Sequence, residues 1–241
     1  SRFVIQSLRA GALTVRGVSV GGVYTALSVP ELNLGFDCGM ALRTMAGVST
    51  LCLSHAHVDH AGALPALLGM RALQSQRAPL RVLMPLEIVD EVNAALAAMS
   101  ALQRWPLDID AVGLRAGDEV PLDATRVVRA EQTFHPVPSL AFQVVRKTQR
   151  LRAAYLGEPG PRIAERRRTG EDIFETVHTP ELAYVTDSLI SALDHAPGLY
   201  QSRVLVMEAT FLDERKPRDI ARAGCHIHLD EIIERAELFQ C

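Results

Sequence analysis

The chain has 241 residues, a formal net charge of −3, 48% hydrophobic and 22% charged residues, which is enough apolar material for one large domain or two small ones and excludes a wholly disordered chain. No apolar run reaches the roughly 18–20 residues of a membrane-spanning helix, and the most apolar window, Leu51 to Met70, is broken by three His and one Asp. The start, SRFVIQSLRAG, lacks an initiator Met and the regions of a signal peptide, and Cys38, Cys52, Cys225 and Cys241 show no CxxC spacing, so a reduced, cytoplasmic chain without a disulfide scaffold or cysteine zinc ribbon is expected.

The first fifth reads as short strands. ALTVRGVSV, VYTALSV and LNLGFDCG alternate or carry β-branched residues between Gly and Pro turns. VSTLCLS, Val48 to Ser54, is a continuous apolar run, the pattern of a strand buried on both faces. A polar cluster follows, then an Ala/Leu-rich helix in AGALPALLGMRALQ, a buried strand in RVLMP, and an amphipathic helix over Leu86 to Leu102. Thr125 to Phe134 and Leu140 to Val145 read as strands. LAYVTDS, a helix, SRVLVMEATF and a last helix in HLDEIIERAELF complete the pattern. Early strands and later strand–helix alternation predict an α/β architecture with helices outside packed sheets.

From Arg146 to Arg168 the chain carries eight Lys/Arg against Glu158 and Glu165, a net +6 within an acidic protein. Gly157, Pro159, Gly160 and Pro161 predict a loop for its first part. Such a cluster is either a solvated face or a phosphate-binding patch.

The sharpest feature is His55-Ala56-His57-Val58-Asp59-His60, directly after the buried strand. In extended chain, positions two apart point the same way, so His55 and His57 present two imidazoles to one cation, while Asp59 and His60 face a second. Neutral imidazole and carboxylate suit zinc, with manganese or iron admissible. Further ligands must come from distant strand ends. His135 follows a strand, and Asp187 ends another, where a carboxylate can bridge two metals or merely cap a helix. Glu208 ends the strand SRVLVME and His226 opens the last helix. A Glu–His pair suits a general acid held in one tautomer. His228, two residues on, is expected to be an exposed residue at the helix start.

In this order, FDCG at 36–39, SHAHVDHAGALP at 54–65, TFHPVPS at 133–139, YVTDS at 184–188, MEATF at 207–211 and GCHIHLDEI at 224–232 resemble the metallo-β-lactamase superfamily and, within it, the tRNase Z family, whose short plant-type members RLRAAYLGEPGPRIAERRRTGEDI also resembles. The resemblance implies one metallo-β-lactamase-like domain over 1–241, an αββα sandwich of two packed mixed β-sheets flanked by helices. It implies a metal-dependent endoribonuclease that removes 3′ trailers from tRNA precursors. His55, His57 and His135 would hold one Zn2+ and Asp59 and His60 a second, with Asp187 bridging and Mn2+ admissible. His226, oriented by Glu208, would be the proton donor, Asp59 would also serve catalysis, and Asp37 would brace the metal loop. A basic tRNA-contacting segment over 146–170, with Lys147, Arg150, Arg166, Arg167 and Arg168, and a homodimer are implied as well.

The chain departs from the family pattern in having Thr186-Asp187-Ser188 for Gly-Asp-Thr and Ala141-Phe142 for Gly-Tyr. It also reaches Cys241 without the family's last His, in a Thr/Ile-His-Phe-Ser motif. A C-terminal truncation or an incomplete second metal site is the expectation from that departure. A hydrolase of a small phosphodiester, lactone or thioester, and a metal-binding but impaired chain, are the competing readings, because this metal site serves many substrates.

Overall fold

A computed structural model describes residues 5–76 and 78–240. The first four residues of the N-terminal segment and Cys241, where the truncation is expected, lie outside the described residues.

Seven strands form the first sheet: β1 (Gln6–Ala10), β2 (Leu13–Val20), β3 (Tyr24–Val29), β4 (Leu34–Phe36), β5 (Thr50–Cys52), β6 (Leu80–Pro85) and β7 (Ile109–Leu114), in spatial order β1 to β7. Pairing is antiparallel from β1 to β4 and parallel from β4 to β7. Five strands form the second: β8 (Glu119–Pro121), β9 (Arg126–Gln132), β10 (Leu140–Leu151), β11 (Phe174–Val185) and β12 (Val204–Met207), in order β12-β11-β10-β9-β8. Only β11 and β12 run parallel there. The helices are α1 (Val58–Ala61), α2 (Leu64–Leu73), α3 (Val89–Gln103), α4 (Gly160–Arg168), α5 (Ser191–His195), α6 (Arg218–Ala223) and α7 (Leu229–Ile233).

The continuous apolar runs follow from layering. Successive side chains of a strand point to opposite faces, and here both faces are covered. Leu51 and Leu53 join Leu64, Leu67, Leu68 and Leu96 of α2 and α3 in one buried cluster. Cys52 between them faces the other way, into a cluster that joins the sheets through Phe36, Leu83, Val128, Phe142, Leu182 and Tyr184. On the far side, Ala141, Ala183 and Val185 meet Leu193 of α5, Leu199, Tyr200 and Ile227. Three apolar layers thus separate helices, sheet, sheet and helices, the expected αββα sandwich of two mixed sheets.

Local differences from the sequence reading have physical causes. The helix predicted over 86–102 opens with a 3-10 turn at Leu86–Ile88 before α3 begins. The last helix is five residues, followed by a 3-10 turn at Ala236–Leu238. The loop expected at the start of the basic segment is strand. β10 runs on to Leu151, paired in register with Phe174–Thr179 of β11, so Arg150 lies opposite Glu175. The two strands form an arm that carries α4. Pro161 in the first turn of α4 suits helix initiation, and Arg166, Arg167 and Arg168 in its last turn complement the helix dipole.

Candidate metal centre

The chemistry-bearing side chains collect at one edge of the sandwich because each sits just beyond a strand. His55 and His57 follow β5, His135 follows β9, Asp187 follows β11 and Glu208 follows β12, while Asp59 and His60 lie in α1. His55 Nε2 and His135 Nε2 lie 3.1 Å and 3.2 Å from His57 Nδ1. Asp187 Oδ2 stands 3.7 Å from His55 Nε2 and 3.3 Å from His60 Nε2, and Asp59 Oδ2 is 3.6 Å from His60 Nε2. Three groups close enough to share an ion result among the described residues: His55, His57, His135 and Asp187; Asp59, His60 and Asp187; and Asp187, Glu208 and His226. Asp187 belongs to all three and holds a left-handed φ of 40°, a conformation that costs about 1–3 kcal/mol and persists only where surroundings enforce it.

Asp37 is the brace. It is fully buried, with its own backbone in the left-handed region at φ 55°. Its carboxylate accepts from Ser54 N at 2.7 Å, Ser54 Oγ at 2.8–2.9 Å, His60 Nδ1 at 2.8 Å and Tyr184 Oη at 2.6 Å. Because Ser54 Oγ donates to Asp37, it accepts from His55 Nδ1, 2.9 Å away. Both His55 and His60 therefore carry their proton on Nδ1 and turn Nε2 toward the centre, the tautomer that a metal ligand needs. Gly39 permits the approach of this segment to the metal loop, since a Cβ there would stand 1.7 Å from the Asp59 carbonyl oxygen.

Electrostatics at the site fit a cation. Burial pushes the His55 imidazole down, to about 3. Burial also acts on His60, but hydrogen bonds to Asp187 and Asp37 outweigh it and lift His60 to about 10. Burial opposes charge on Asp187, yet His60 holds its carboxyl well below the usual carboxylate range. A proton on His60 thus sits between carboxylates where a divalent ion would sit. His135 Nδ1 is buried with no hydrogen-bond partner among the described residues. Three converging imidazoles, one with an orphaned nitrogen, beside two carboxylates match the nitrogen and oxygen donors that such ions take.

Beside the ligands, His226 Nδ1 lies 3.1 Å from both oxygens of Glu208. Glu208 also accepts from Ser188 N at 2.9 Å and Ile227 N at 3.3 Å, and from the Thr210 hydroxyl. These bonds tie three chain segments to one carboxylate. The Glu208 hydrogen bond raises the His226 pKa, with burial opposing. Thr210 and Tyr184 are partners that the sequence reading missed. Thr210 follows Glu208 by two residues, which is a local signal; Tyr184 reaches Asp37 across 147 residues, which is none.

Two expectations need correction. His228 is not exposed: only 2% of its surface is accessible. It caps α7, its Nδ1 accepting from Asp230 N while its own N–H donates to Glu231, and Nε2 lies 3.3 Å from the Asp213 carbonyl. The basic segment is also less open than its sequence implies. Lys147 pairs with Glu119, Arg150 with Glu175, and Arg166 with both Glu158 and Glu171. Arg167 and Arg168 stay exposed, with only Glu165 3.9 Å from Arg168. Glu119 of β8, Glu158 and the acids of the returning chain, Glu171, Asp172 and Glu175, account for the difference.

The chain is 31% identical over 229 residues to tRNase Z TRZ1 of Arabidopsis thaliana, covering 94% of this chain and 81% of that protein. It belongs to the tRNase Z family. It is also 32% identical over 226 residues to the chloroplastic tRNase Z TRZ2 of the same plant, covering 92% of this chain and 63% of that protein. To the nuclear ribonuclease Z of Triticum aestivum it is 33% identical over 163 residues, 68% of this chain and 92% of that one. No family profile matches the chain. Its fold is similar to human tRNase Z, short form (ELAC1), at TM-score 0.56 and 18% identity over 94% of this chain and 81% of that one. It is also similar to the metallo-β-lactamase fold protein YhfI of Bacillus subtilis, at TM-score 0.51 and 14% identity over 88% and 72%. Within this tRNase Z framework, no helix among the described residues is long and apolar enough to cross a membrane.

Proposed function

We propose that this chain is a metal-dependent endoribonuclease that removes 3′ trailers from tRNA precursors by phosphodiester hydrolysis. The observation that carries the reading is the adjacency of two His/Asp ligand sets to a Glu-oriented imidazole, in a tRNase Z family member.

His55, His57, His135 and Asp187 would hold one divalent ion, and Asp59, His60 and Asp187 a second, with Zn2+ the ion we assign and Mn2+ compatible with the same donors. When bound, such ions supply Lewis acidity for the phosphate and make hydroxide available near neutral pH. The chain's own residues do the rest. Asp37 holds Ser54 and His60, and through Ser54 it orients His55, so these two imidazoles are set before an ion binds. His226, whose pKa the Glu208 hydrogen bond raises against burial, would deliver a proton to the departing ribose 3′-oxygen, a poor leaving group as an alkoxide. Its Nδ1 is engaged with Glu208, so Nε2 is the donating atom. The products are a 3′-hydroxyl on the tRNA and a 5′-phosphate on the trailer.

The arm over 146–170 would grip the folded tRNA by its backbone, since RNA helices are read mainly by shape and phosphates. Arg167 and Arg168 are the side chains with charge to spare. We read 1–241 as one domain, a homodimer and cytoplasmic. Exposed Leu73, Leu102 and Trp105 support the dimer, and the free thiols of Cys38, Cys52 and Cys225 support the compartment. Sedimentation tests the dimer. The central test is a labelled tRNA precursor: wild type cuts it once to leave a 3′-hydroxyl, and His226→Ala loses the cut while keeping its metal. Turnover of lactones or thioesters without precursor cleavage would overturn the reading.

A further inference from the structure

A groove of about 940 Å³ leads away from the metal centre. Its lining includes His60, Asp187 and His226 of the site together with Phe211, Lys216 and the Gly21-Gly22 turn. That turn contributes no side chain: a Cβ at Gly22 would meet nothing within 4 Å, and one at Gly21 would come within 3.7 Å of Thr210.

Phe211 is placed rigidly in this groove. Its N–H bonds to the Ile227 carbonyl at 3.4 Å and its own carbonyl accepts from Leu229 N at 2.8 Å, while its ring packs edge-on to His226 at 6.0 Å between centroids. The Lys216 ammonium stands 5.3 Å from the Phe211 centroid. Among the described residues Lys216 has no ion-pair partner, whereas its neighbour Arg215 is paired with Asp213. An aromatic face with an unpaired ammonium poised over it is the pairing that single-stranded nucleic acids use, the ring for a base and the cation for a phosphate.

We propose that Phe211 and Lys216 form a nucleotide subsite for the single-stranded RNA 3′ end, holding the nucleotide on the tRNA side of the cut. The assignment of side rests on the function proposed above. His226 protonates the 3′-oxygen of the nucleotide that stays on the tRNA, so the ring beside His226 faces that nucleotide and not the trailer. Phe211 stacks on its base, and Lys216 swings from the ring to the phosphate that precedes it. The pair positions substrate and takes no part in proton transfer.

The test uses the metal-loaded enzyme and its product, a tRNA that ends in a 3′-hydroxyl, so that binding is read without turnover. The last nucleotide is either intact or abasic. In wild type the abasic end should weaken binding about tenfold, within the range measured for one base on an aromatic ring. Phe211→Leu should weaken the intact end by a similar factor and then respond little to base removal. Lys216→Gln should lower the salt slope by about 0.7, the value for one single-strand phosphate contact, and Lys216→Arg should restore it. If the Phe211 and abasic effects multiply, or if base removal one nucleotide upstream behaves identically, the subsite is overturned. Loss of precursor cleavage with this coupling intact would instead remove the proposed activity and leave the subsite standing as an RNA-end site.

Discussion

The metal end of the sandwich and the β10–β11 arm are both dense in charge, and they are held in opposite ways. At the metal end the charged groups are buried or partly buried, and the most buried carboxylate is answered by several donors: Asp37 alone accepts from Ser54, His60 and Tyr184. On the arm the charges lie in water and meet at most one or two partners, as Arg150 meets Glu175 with side chains 68% and 37% exposed. Hydrogen bonds to a buried charge contribute about 1.5–3 kcal/mol each, whereas exposed ion pairs contribute about 0.2–1 kcal/mol. One region is therefore fixed by its polar contacts, and the other is fixed by its backbone ladder with charge left over for a partner. On the function proposed above, geometry would serve chemistry at one end and electrostatics would serve grip at the other.

The largest effect should come from breaking the metal end directly. His55→Ala or Asp59→Ala is expected to lower precursor cleavage by more than about 100-fold, beyond what changes around a ligand cost, with the fold retained by circular dichroism. Wild-type turnover at unchanged metal content would dissolve the contrast between the regions. Next, Tyr184→Phe removes one donor from Asp37 without touching a ligand. It should reduce metal affinity roughly tenfold in a chelator competition, while the arm's binding of tRNA stays the same.

The third expected effect lies inside the metal end. The set of His55, His57, His135 and Asp187 offers four groups, and that of Asp59, His60 and Asp187 offers three. Affinity rises with ligand number, so exhaustive dialysis against a mild chelator should leave close to one metal per chain. Two retained metals would mean that another group completes the second set. On the arm, Arg167→Glu with Arg168→Glu should weaken tRNA binding and flatten its salt dependence while a small phosphodiester is cleaved as before. Arg166→Ala should instead loosen α4, because Arg166 is committed to Glu158 and Glu171. If Arg166→Ala mimics the double reversal, the paired and unpaired arginines are not distinct.

The smallest effect concerns the arm's root. Burial works against charge on Glu181, but Arg126 and Arg146, each 2.6 Å away, hold its carboxyl below the usual range. A depressed folded-state pKa adds stability that is present above the unfolded carboxylate value and lost as pH falls through the folded one. Glu181→Gln should therefore lower stability at pH 7 and make the acid-unfolding curve shallower below about pH 4.

Most of the candidate metal centre was legible because metal chemistry needs His and Asp in close sequence, and His55 through His60 crowd into the turn from β5 to α1. The buried strands were legible because Leu51, Cys52 and Leu53 serve different apolar layers and so cannot include a polar residue. The outer half of β10 was not, because Arg146 to Arg150 hold their strand by backbone pairing and cross-strand ion pairs, with no apolar face to alternate. β1, mostly exposed, escaped for the same reason. The burial of His228 was hidden because it depends on the Asp213 carbonyl and on the Phe211 backbone beside it, which folding brings together.

The bonds on Asp37 also carry a sense of time. Its partner Ser54 lies 17 residues along the chain and His60 23, but Tyr184 lies 147 away. Contacts between near neighbours close faster than distant ones. A growing polypeptide that has completed β7 already possesses Asp37, Ser54, His55 and His60, and with them the two short-range braces that set both imidazole tautomers. The long-range brace waits for β11, which also delivers Asp187. The loop is thus assembled before the carboxylate that joins its two halves arrives. Pulse-labelled hydrogen exchange during refolding should find the Ser54 amide protected ahead of the amides of β11.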